Sequence, residues 1–254
     1  MKRILTLVVG LCLLFSMGCG EDIVIEGDSS STSANGSSST GTKKVASSKP
    51  STNRAGSPQT KDRLKAIMMA IHNYHDTHLS FPPPYFKDEN GQPAHSWRVI
   101  LLPHLGENAL YQQYDFNQPW DSEQNQRVMK KIPKVYQTSG SQPYTTIQGI
   151  VGEGTAFDPT MEKIGFRDVK DGLSNTMMLI ERVNKPVLWT KPEDISPEDW
   201  IAGKSFANLD AEGHYVAFTD GSQWFYRTTW GEKSRMFLTY INDGEGTYWN
   251  HHID

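Results

Sequence analysis

Thiol groups are almost absent from this sequence. Among its 254 residues only 2 are cysteine, and both of them, Cys12 and Cys19, lie near the N-terminus. The remainder of the chain therefore forms no disulfide and no thiolate metal site. It also offers no cysteine nucleophile for catalysis.

Concentrated positive charge is missing as well. The formal net charge is −4 at pH 7, and the basic residues form no long run. This composition argues against nucleic-acid binding, which usually requires a basic patch. The Gly-x-Ser-x-Gly turn of serine hydrolases and the glycine-rich phosphate loop are also absent from the sequence.

Long apolar segments are rare, and the clearest one is residues 4–15. It is too short to span a bilayer comfortably, follows Lys2 and Arg3, and precedes Cys19. This order resembles a bacterial lipoprotein signal peptide. We therefore predict a signal peptide at residues 1–18 and acylation of Cys19, with palmitate as the expected acyl group. A secretory signal cleaved nearby and an uncleaved anchor are the alternatives.

The residue after the predicted lipid site is Gly20. In Gram-negative lipoproteins this resembles the outer-membrane default and not inner-membrane retention. We therefore expect a protein of the cell envelope that is lipid-anchored to a membrane. The expected location is the outer membrane, facing the periplasm or the cell surface.

Between the predicted lipid site and the first amphipathic segment, the sequence is rich in Ser, Thr and Gly. Such a segment buries too little apolar surface to offset its ordering entropy. We predict that residues 19–60 form a disordered, flexible linker that begins with the lipidated Cys19. Residues 61–254 are the predicted globular domain.

Periodicity predicts helices in the first half of this domain and strands in the second half. Apolar residues at Leu64, Ile67, Met68 and Ile71 have helical spacing, and the prolines at 82–84 follow. The order of elements favours an α+β fold with an antiparallel sheet. Further helices are predicted within 96–116, 121–132 and 231–241, strands within 134–138, 144–151, 175–183 and 187–190, and a hairpin within 213–228 with Asp220-Gly221 at its turn.

Several of these segments occur in an order that closely resembles a known family. They include LKAIMMAIHNYHDTHLSFPPPY, SWRVILLPHLGENALYQQYDFNQPWDS, GIVGEGTAF and DGLSNTMMLIE. The resemblance is to planctomycete-type secreted, prepilin-like proteins of unknown function (domain of unknown function 1559), and it covers nearly all of residues 61–254. It implies a pilin-like head, in which an N-terminal helix packs on an antiparallel β-sheet, with additional short helices.

Members of that family carry a motif of His, nine residues and Asp-Gly. The Asp-Gly pair matches Asp220-Gly221, whereas the motif histidine falls at Asp210, and His214 is out of register. The family usually begins with a prepilin segment. Here we expect the lipoprotein-like N-terminus in its place.

Three histidines, His72, His75 and His78, suggest a metal site near the end of the first helix. A zinc site needs three or four ligands that converge tetrahedrally. The alternative is a partly buried helix end whose imidazoles bond to the following loop. Asp220 similarly suggests a cation or ligand loop, with a hairpin turn that needs positive φ as the alternative.

Four other features have both structural and functional interpretations. Gly152 and Gly154 indicate a turn and not a phosphate loop. Asp171 and Glu181 would suit a hydrolase as an acid pair, although such pairs also arise by chance in an acidic protein. An aromatic patch near Trp224 and Tyr226 would suit a protein partner or a glycan, whereas half of a hairpin's side chains face inward. The terminal pair at His251 and His252 is expected in a solvated tail, with adventitious metal binding as the alternative.

We interpret the chain as an exported, membrane-anchored, non-catalytic domain for binding or scaffolding at the cell envelope. It is expected to need no cofactor. Its expected partners are the membrane, through the lipid, and envelope proteins or glycans, but not nucleic acid. A solute- or metal-binding receptor is the first alternative function, and a hydrolase is the second.

Overall fold

The computed structural model describes residues 56–138, 140, 142–206 and 212–244. These residues belong to one compact unit, Ser48–Asp254. The predicted signal peptide, Cys19 and most of the predicted linker lie outside the described residues, as do Asp210, His251 and His252.

Helices and strands occur in the following order along the described chain. The helices are α1 (Pro58–His78), α2 (Trp97–Ile100), α3 (Asn108–Tyr111), α4 (Glu123–Met129), α5 (Pro197–Ile201) and α6 (Glu232–Phe237), and 3-10 turns occupy Leu102–Leu105, Lys134–Tyr136 and Phe166–Asp168. The strands are β1 (Tyr85–Lys87), β2 (Pro93–Ser96), β3 (Tyr144–Thr145), β4 (Ile147–Gly149), β5 (Met177–Glu181), β6 (Val187–Leu188), β7 (Gly213–Phe218) and β8 (Gln223–Arg227).

Helix α1 begins three residues before the predicted start at Lys61. The Ser57 hydroxyl accepts a hydrogen bond from the Thr60 amide at 3.2 Å, and Pro58 occupies the first helical turn. The helix ends at His78 because Leu79 adopts a left-handed conformation, with φ of 55°. Among the described residues, no helix has both the length and the apolar character that crossing a membrane requires.

The central sheet is antiparallel and has the strand order β4-β5-β7-β8. Its register pairs Gln148 with Ile180, Ile180 with Val216, and Val216 with Trp224. Two further antiparallel pairs, β1-β2 and β3-β6, form separate two-stranded sheets. The predicted α+β class with an antiparallel sheet is therefore confirmed.

Helices cover both faces of this sheet. Successive strand residues point to opposite faces, so Ala217 packs in one apolar core with Ile67 and Met68 of α1. On the other face, Val216 packs in a second core with Trp200 of α5 and with Leu238, which follows α6. The predicted packing of α1 on the sheet is confirmed, and the helical layer on the second face is an addition to it.

One strand prediction was wrong. Residues 134–136 form a 3-10 turn and not part of a strand, and Pro133 directly precedes it. The Tyr136 side chain is buried there, and its hydroxyl donates to the Arg98 carbonyl oxygen at 3.1 Å. Val135 and Tyr136 form a short apolar run that resembled a strand, but the buried Tyr136 ring packs against α2 from a turn.

Candidate functional site

His72 connects helix α1 to the tip of the β7-β8 hairpin. Its Nε2 donates a hydrogen bond to the carbonyl oxygen of Thr219 at 2.9 Å. Its ring also meets Phe166 edge-on, with 5.1 Å between the ring centroids. His72 therefore fixes the β7-β8 hairpin against helix α1.

His75 and His78 lie in different surroundings from His72. His75 packs on Phe166 at 4.1 Å between centroids, and its Nδ1 atom is buried without a hydrogen-bond partner among the described residues. His78 donates from Nδ1 to the Tyr74 carbonyl at 2.9 Å and stacks on the Tyr74 ring at 3.9 Å. The three imidazoles thus differ in their hydrogen bonds, although His72 and His75 both contact the Phe166 ring.

The described part of the chain contains no group of three or more His, Cys, Asp or Glu side chains that could hold a metal ion. The structure therefore does not bring His72, His75, His78 and Asp220 together as one ligand set within those residues. Each has a local contact that accounts for its position.

Asp220 and Gly221 form the turn of the β7-β8 hairpin, as predicted. Phe218 donates its amide to the Ser222 carbonyl at 3.0 Å and accepts from the Gly221 amide at 2.9 Å, so three residues close the turn. The Asp220 carboxylate accepts from the Ser222 amide at 2.8 Å. Gly221 has a φ of 87°, which glycine adopts at low cost.

Replacing Gly221 by alanine is expected to destabilise the fold by more than the left-handed backbone alone, which costs about 1–2 kcal/mol. The added Cβ would lie 3.0 Å from Cε1 of His72. Gly91→Ala is the matched control, because Gly91 has a φ of 78° and open space around its Cβ position. Urea unfolding of both variants measures the difference. Equal losses would show that the hairpin tip does not press against His72.

The acid pair and the glycine turn have separate structural roles. The buried Glu181 carboxylate accepts from the Gly56 amide at 2.8 Å and from the Thr60 hydroxyl at 2.9 Å, beside the start of α1, and burial raises its pKa. Asp171 accepts from the amides of Asp243 and Gly244 at 2.8 and 3.0 Å. The two carboxylates therefore bind different segments of the domain.

The segment of Gly152 and Gly154 is a turn, as predicted. Gly154 has a φ of 78°, and its amide donates to the Asp158 carboxylate at 2.8 Å. The carboxylate also accepts from Thr160. Burial alone would raise the pKa of Asp158, but these hydrogen bonds outweigh it and lower that pKa.

The aromatic patch near Trp224 is smaller than the sequence suggested. The Trp224 side chain is 50% exposed, but Tyr226 is buried. Tyr226 packs against Trp200, Phe206 and Trp230 on the α5 side of the sheet. Of the two predicted residues, Trp224 alone offers its ring to a partner.

A polar cluster, formed by Thr146, Gln148, Arg182 and His214, lies on the α5 side of the sheet. Arg182 continues β5 two residues beyond Ile180, and His214 lies two residues before Val216, so period-two alternation places both on that face. Each member is buried and has a side-chain nitrogen or oxygen without a hydrogen-bond partner among the described residues. A buried polar group without a hydrogen bond lowers the stability of a fold. The alternation of apolar and polar residues in the sequence does not explain why such groups lie on this buried face of the sheet.

His214 is the most constrained member of this cluster. Its ring lies 4.7 Å from the Phe206 ring, centroid to centroid, and the Glu181 backbone lies within reach of a ring nitrogen. Burial lowers the pKa of His214 to about 4. The side chain is therefore neutral at physiological pH.

A groove with a volume of about 690 Å³ lies between the β1-β2 hairpin and residues 111–119. We call it the β1-β2 groove. Its aromatic wall contains Phe86, Tyr111 and Phe116, with Phe116 centroids 6.2 Å from Phe86 and 5.2 Å from Tyr111. The volume is within the range of small-molecule sites.

His95 fixes the floor of the β1-β2 groove through two hydrogen bonds. Its Nδ1 accepts from the Tyr114 hydroxyl at 3.0 Å, and its Nε2 donates to the Phe116 carbonyl at 3.1 Å. Burial lowers the pKa of His95, so the neutral ring keeps one donor and one acceptor for these bonds. The aromatic wall is thereby fixed to β2.

Sequence reasoning missed this groove because it missed the β1-β2 hairpin. A signal was present, since Asn90-Gly91 is a strong turn pair between two short segments with strand-forming residues. The observed turn uses it, with Gly91 at a φ of 78° and the Asp88 carboxylate accepting from the Asn90 and Gln92 amides.

Comparison with known proteins identifies one family. A family model described as a protein of unknown function (DUF1559) matches residues 57–143 and 133–250. No curated protein and no solved structure gives a match. The matched ranges together cover nearly all of the described domain.

Proposed function

The chain belongs to the DUF1559 family of proteins of unknown function, and from this premise we propose that it is an exported domain that binds a ligand at the cell envelope. In this proposal, a lipid on Cys19 attaches the chain to the membrane. The folded domain acts by binding or scaffolding and performs no chemistry.

The observation that carries the binding role is the β1-β2 groove. It combines an aromatic wall with an exposed polar rim, as ligand sites do. Its floor is fixed by the hydrogen bonds of His95, so the site is largely pre-formed. A pre-formed site loses little conformational entropy when a ligand binds.

The anchoring role rests on the N-terminal sequence. Helix α1 begins at Pro58, so nearly forty residues rich in Ser, Thr and Gly separate it from Cys19. As a flexible chain they would reach roughly 35 Å root-mean-square. This distance would lift the groove clear of a membrane surface.

Labelling with radioactive palmitate tests the anchor. We expect label in the wild-type chain and none in Cys19→Ala, because only Cys19 remains after the predicted signal peptide is removed. Cys12→Ala is the matched control and should keep the label, since Cys12 lies within the predicted signal peptide. A wild-type chain without label, or label that persists in Cys19→Ala, contradicts the anchoring role.

A receptor for a soluble solute is the second candidate function, and the groove's volume favours it. The two candidates differ in whether the ligand is part of the envelope or diffuses freely. Binding of purified envelope material, compared with binding of its small soluble fragments, separates them.

A further inference from the structure

One aromatic ring of the β1-β2 groove is exposed to solvent. Phe86 is 39% exposed although Phe116 lies beside it. Large apolar side chains at the mouth of a groove are typical of binding surfaces. A ligand with a flat apolar face would cover this ring.

The rim of the groove is polar. Asp88, Glu89 and Asn90 are exposed on the hairpin side, and Asn117 and Gln118 are exposed on the opposite side. Their carboxylate and amide groups provide hydrogen-bond donors and acceptors side by side. This pattern matches a ligand that presents neighbouring hydroxyl groups along its edge.

The charge of the groove argues against an anionic ligand. Lys87 is its single lysine or arginine, and Asp88 and Glu89 lie next to it. Phosphate and sulfate groups are usually bound by arginine clusters or helix N-termini. A neutral ligand suits this lining better.

We propose that the β1-β2 groove binds a neutral glycan, whose sugar C–H face covers Phe86 and whose hydroxyl groups bond to the rim at Asn90 and Gln118. This inference rests on the proposed binding function and names the ligand class of the same site. Aromatic stacking supplies affinity, and the planar amides distinguish hydroxyl orientations.

An array of immobilised neutral oligosaccharides, with sulfated and phosphorylated oligosaccharides as comparators, tests this proposal on the full chain. We expect binding to neutral members of the array. Phe86→Ala and Gln118→Ala should each weaken it by about tenfold. Tyr144→Ala is the matched control, because Tyr144 is an aromatic residue outside the groove whose 40% exposure is close to that of Phe86, and it should bind as the wild type does.

Thermal unfolding of each variant confirms that the fold is retained, since Phe86 and Gln118 are both exposed. Binding to anionic members alone, no binding to neutral members, or equal binding by the wild type and Phe86→Ala would each overturn the glycan assignment. If palmitate labelling fails while Phe86-dependent array binding persists, the anchor is wrong and the glycan site stands. If labelling succeeds and the array shows no neutral binding, the glycan assignment alone is wrong.

Discussion

Replacing Asp194 by asparagine is expected to lower the free energy of unfolding by about 3–5 kcal/mol, because it leaves the buried charge of Arg98 without its partner. The two side chains are 4% and 0% exposed, and Arg98 Nη2 lies 2.6 Å from Asp194 Oδ1. Loss of one member of a buried ion pair is among the largest effects that a single substitution produces.

Further hydrogen bonds around this ion pair explain why the expected loss of stability is large. Asp194 also accepts from the Gly149 amide at 2.7 Å and from Trp97 Nε1 at 3.2 Å. Arg98 in turn donates to the carbonyl oxygen of Ile147 from Nη2 at 2.9 Å. The pair therefore joins α2 to strand β4 at the edge of the sheet.

Chemical denaturation measures this effect, and two variants serve as controls. Glu123→Gln breaks an exposed pair with Arg127 on α4, whose side chains are 85% and 66% exposed, and should change stability little. The double variant Arg98→Met, Asp194→Leu should recover part of the loss, because apolar pairs often replace buried ion pairs at low cost. A loss for Asp194→Asn as small as that of Glu123→Gln would refute the structural role of the pair.

The sequence predicted those parts of the fold that local patterns determine. The spacing of Leu64, Ile67, Met68 and Ile71 revealed α1, and Asp220-Gly221 revealed the β7-β8 turn. The Arg98–Asp194 pair joins residues that are 96 positions apart, and no local pattern records such a contact. The β1-β2 groove has two walls from separate segments, so the Asn90-Gly91 turn signal could have predicted one wall but not the pairing of the two.

Helix α1 was predicted correctly, but the spacing of its histidines suggested a metal site that the described residues do not form. Their placement near the end of the helix was predicted correctly. At about 100° per residue, however, positions three apart differ by about 60° around the helix axis. His72 bonds to Thr219, and His78 bonds to and stacks on Tyr74. His75 packs on Phe166, a ring that His72 also meets edge-on. Regular spacing places residues on neighbouring turns of a helix. Whether their side chains converge on one metal ion depends on the segments that pack around the helix.

Lowering the pH from about 6.5 to 4 is expected to reduce the stability of the domain by about 3 kcal/mol through His214 alone. The pKa of His214 is about 4 in the folded state because the side chain is buried, whereas an unfolded histidine has a pKa of about 6.5. Between these values the unfolded chain binds a proton that the folded chain excludes. Stability is therefore complete above the unfolded pKa and is lost as the pH falls toward the folded one.

His214→Leu isolates this contribution. Leucine removes the titrating group and keeps an apolar contact with the Phe206 ring, which is the apolar part of the surroundings of His214. We expect the variant to be at least as stable as the wild type at pH 7 and to lose about 3 kcal/mol less between pH 6.5 and 4. Urea unfolding across this pH range measures the slope.

The dependence of stability on pH that remains in His214→Leu also has a structural origin. Burial lowers the pKa of His75, His95 and His104, so these histidines add to the acid sensitivity with the same sign. His78→Gln is the control, because His78 is exposed and its substitution should leave the difference between wild type and His214→Leu unchanged. An unchanged slope in His214→Leu would mean that the polar cluster admits a proton in the folded state, and that the α5 side of the sheet is more accessible to solvent than its packing indicates.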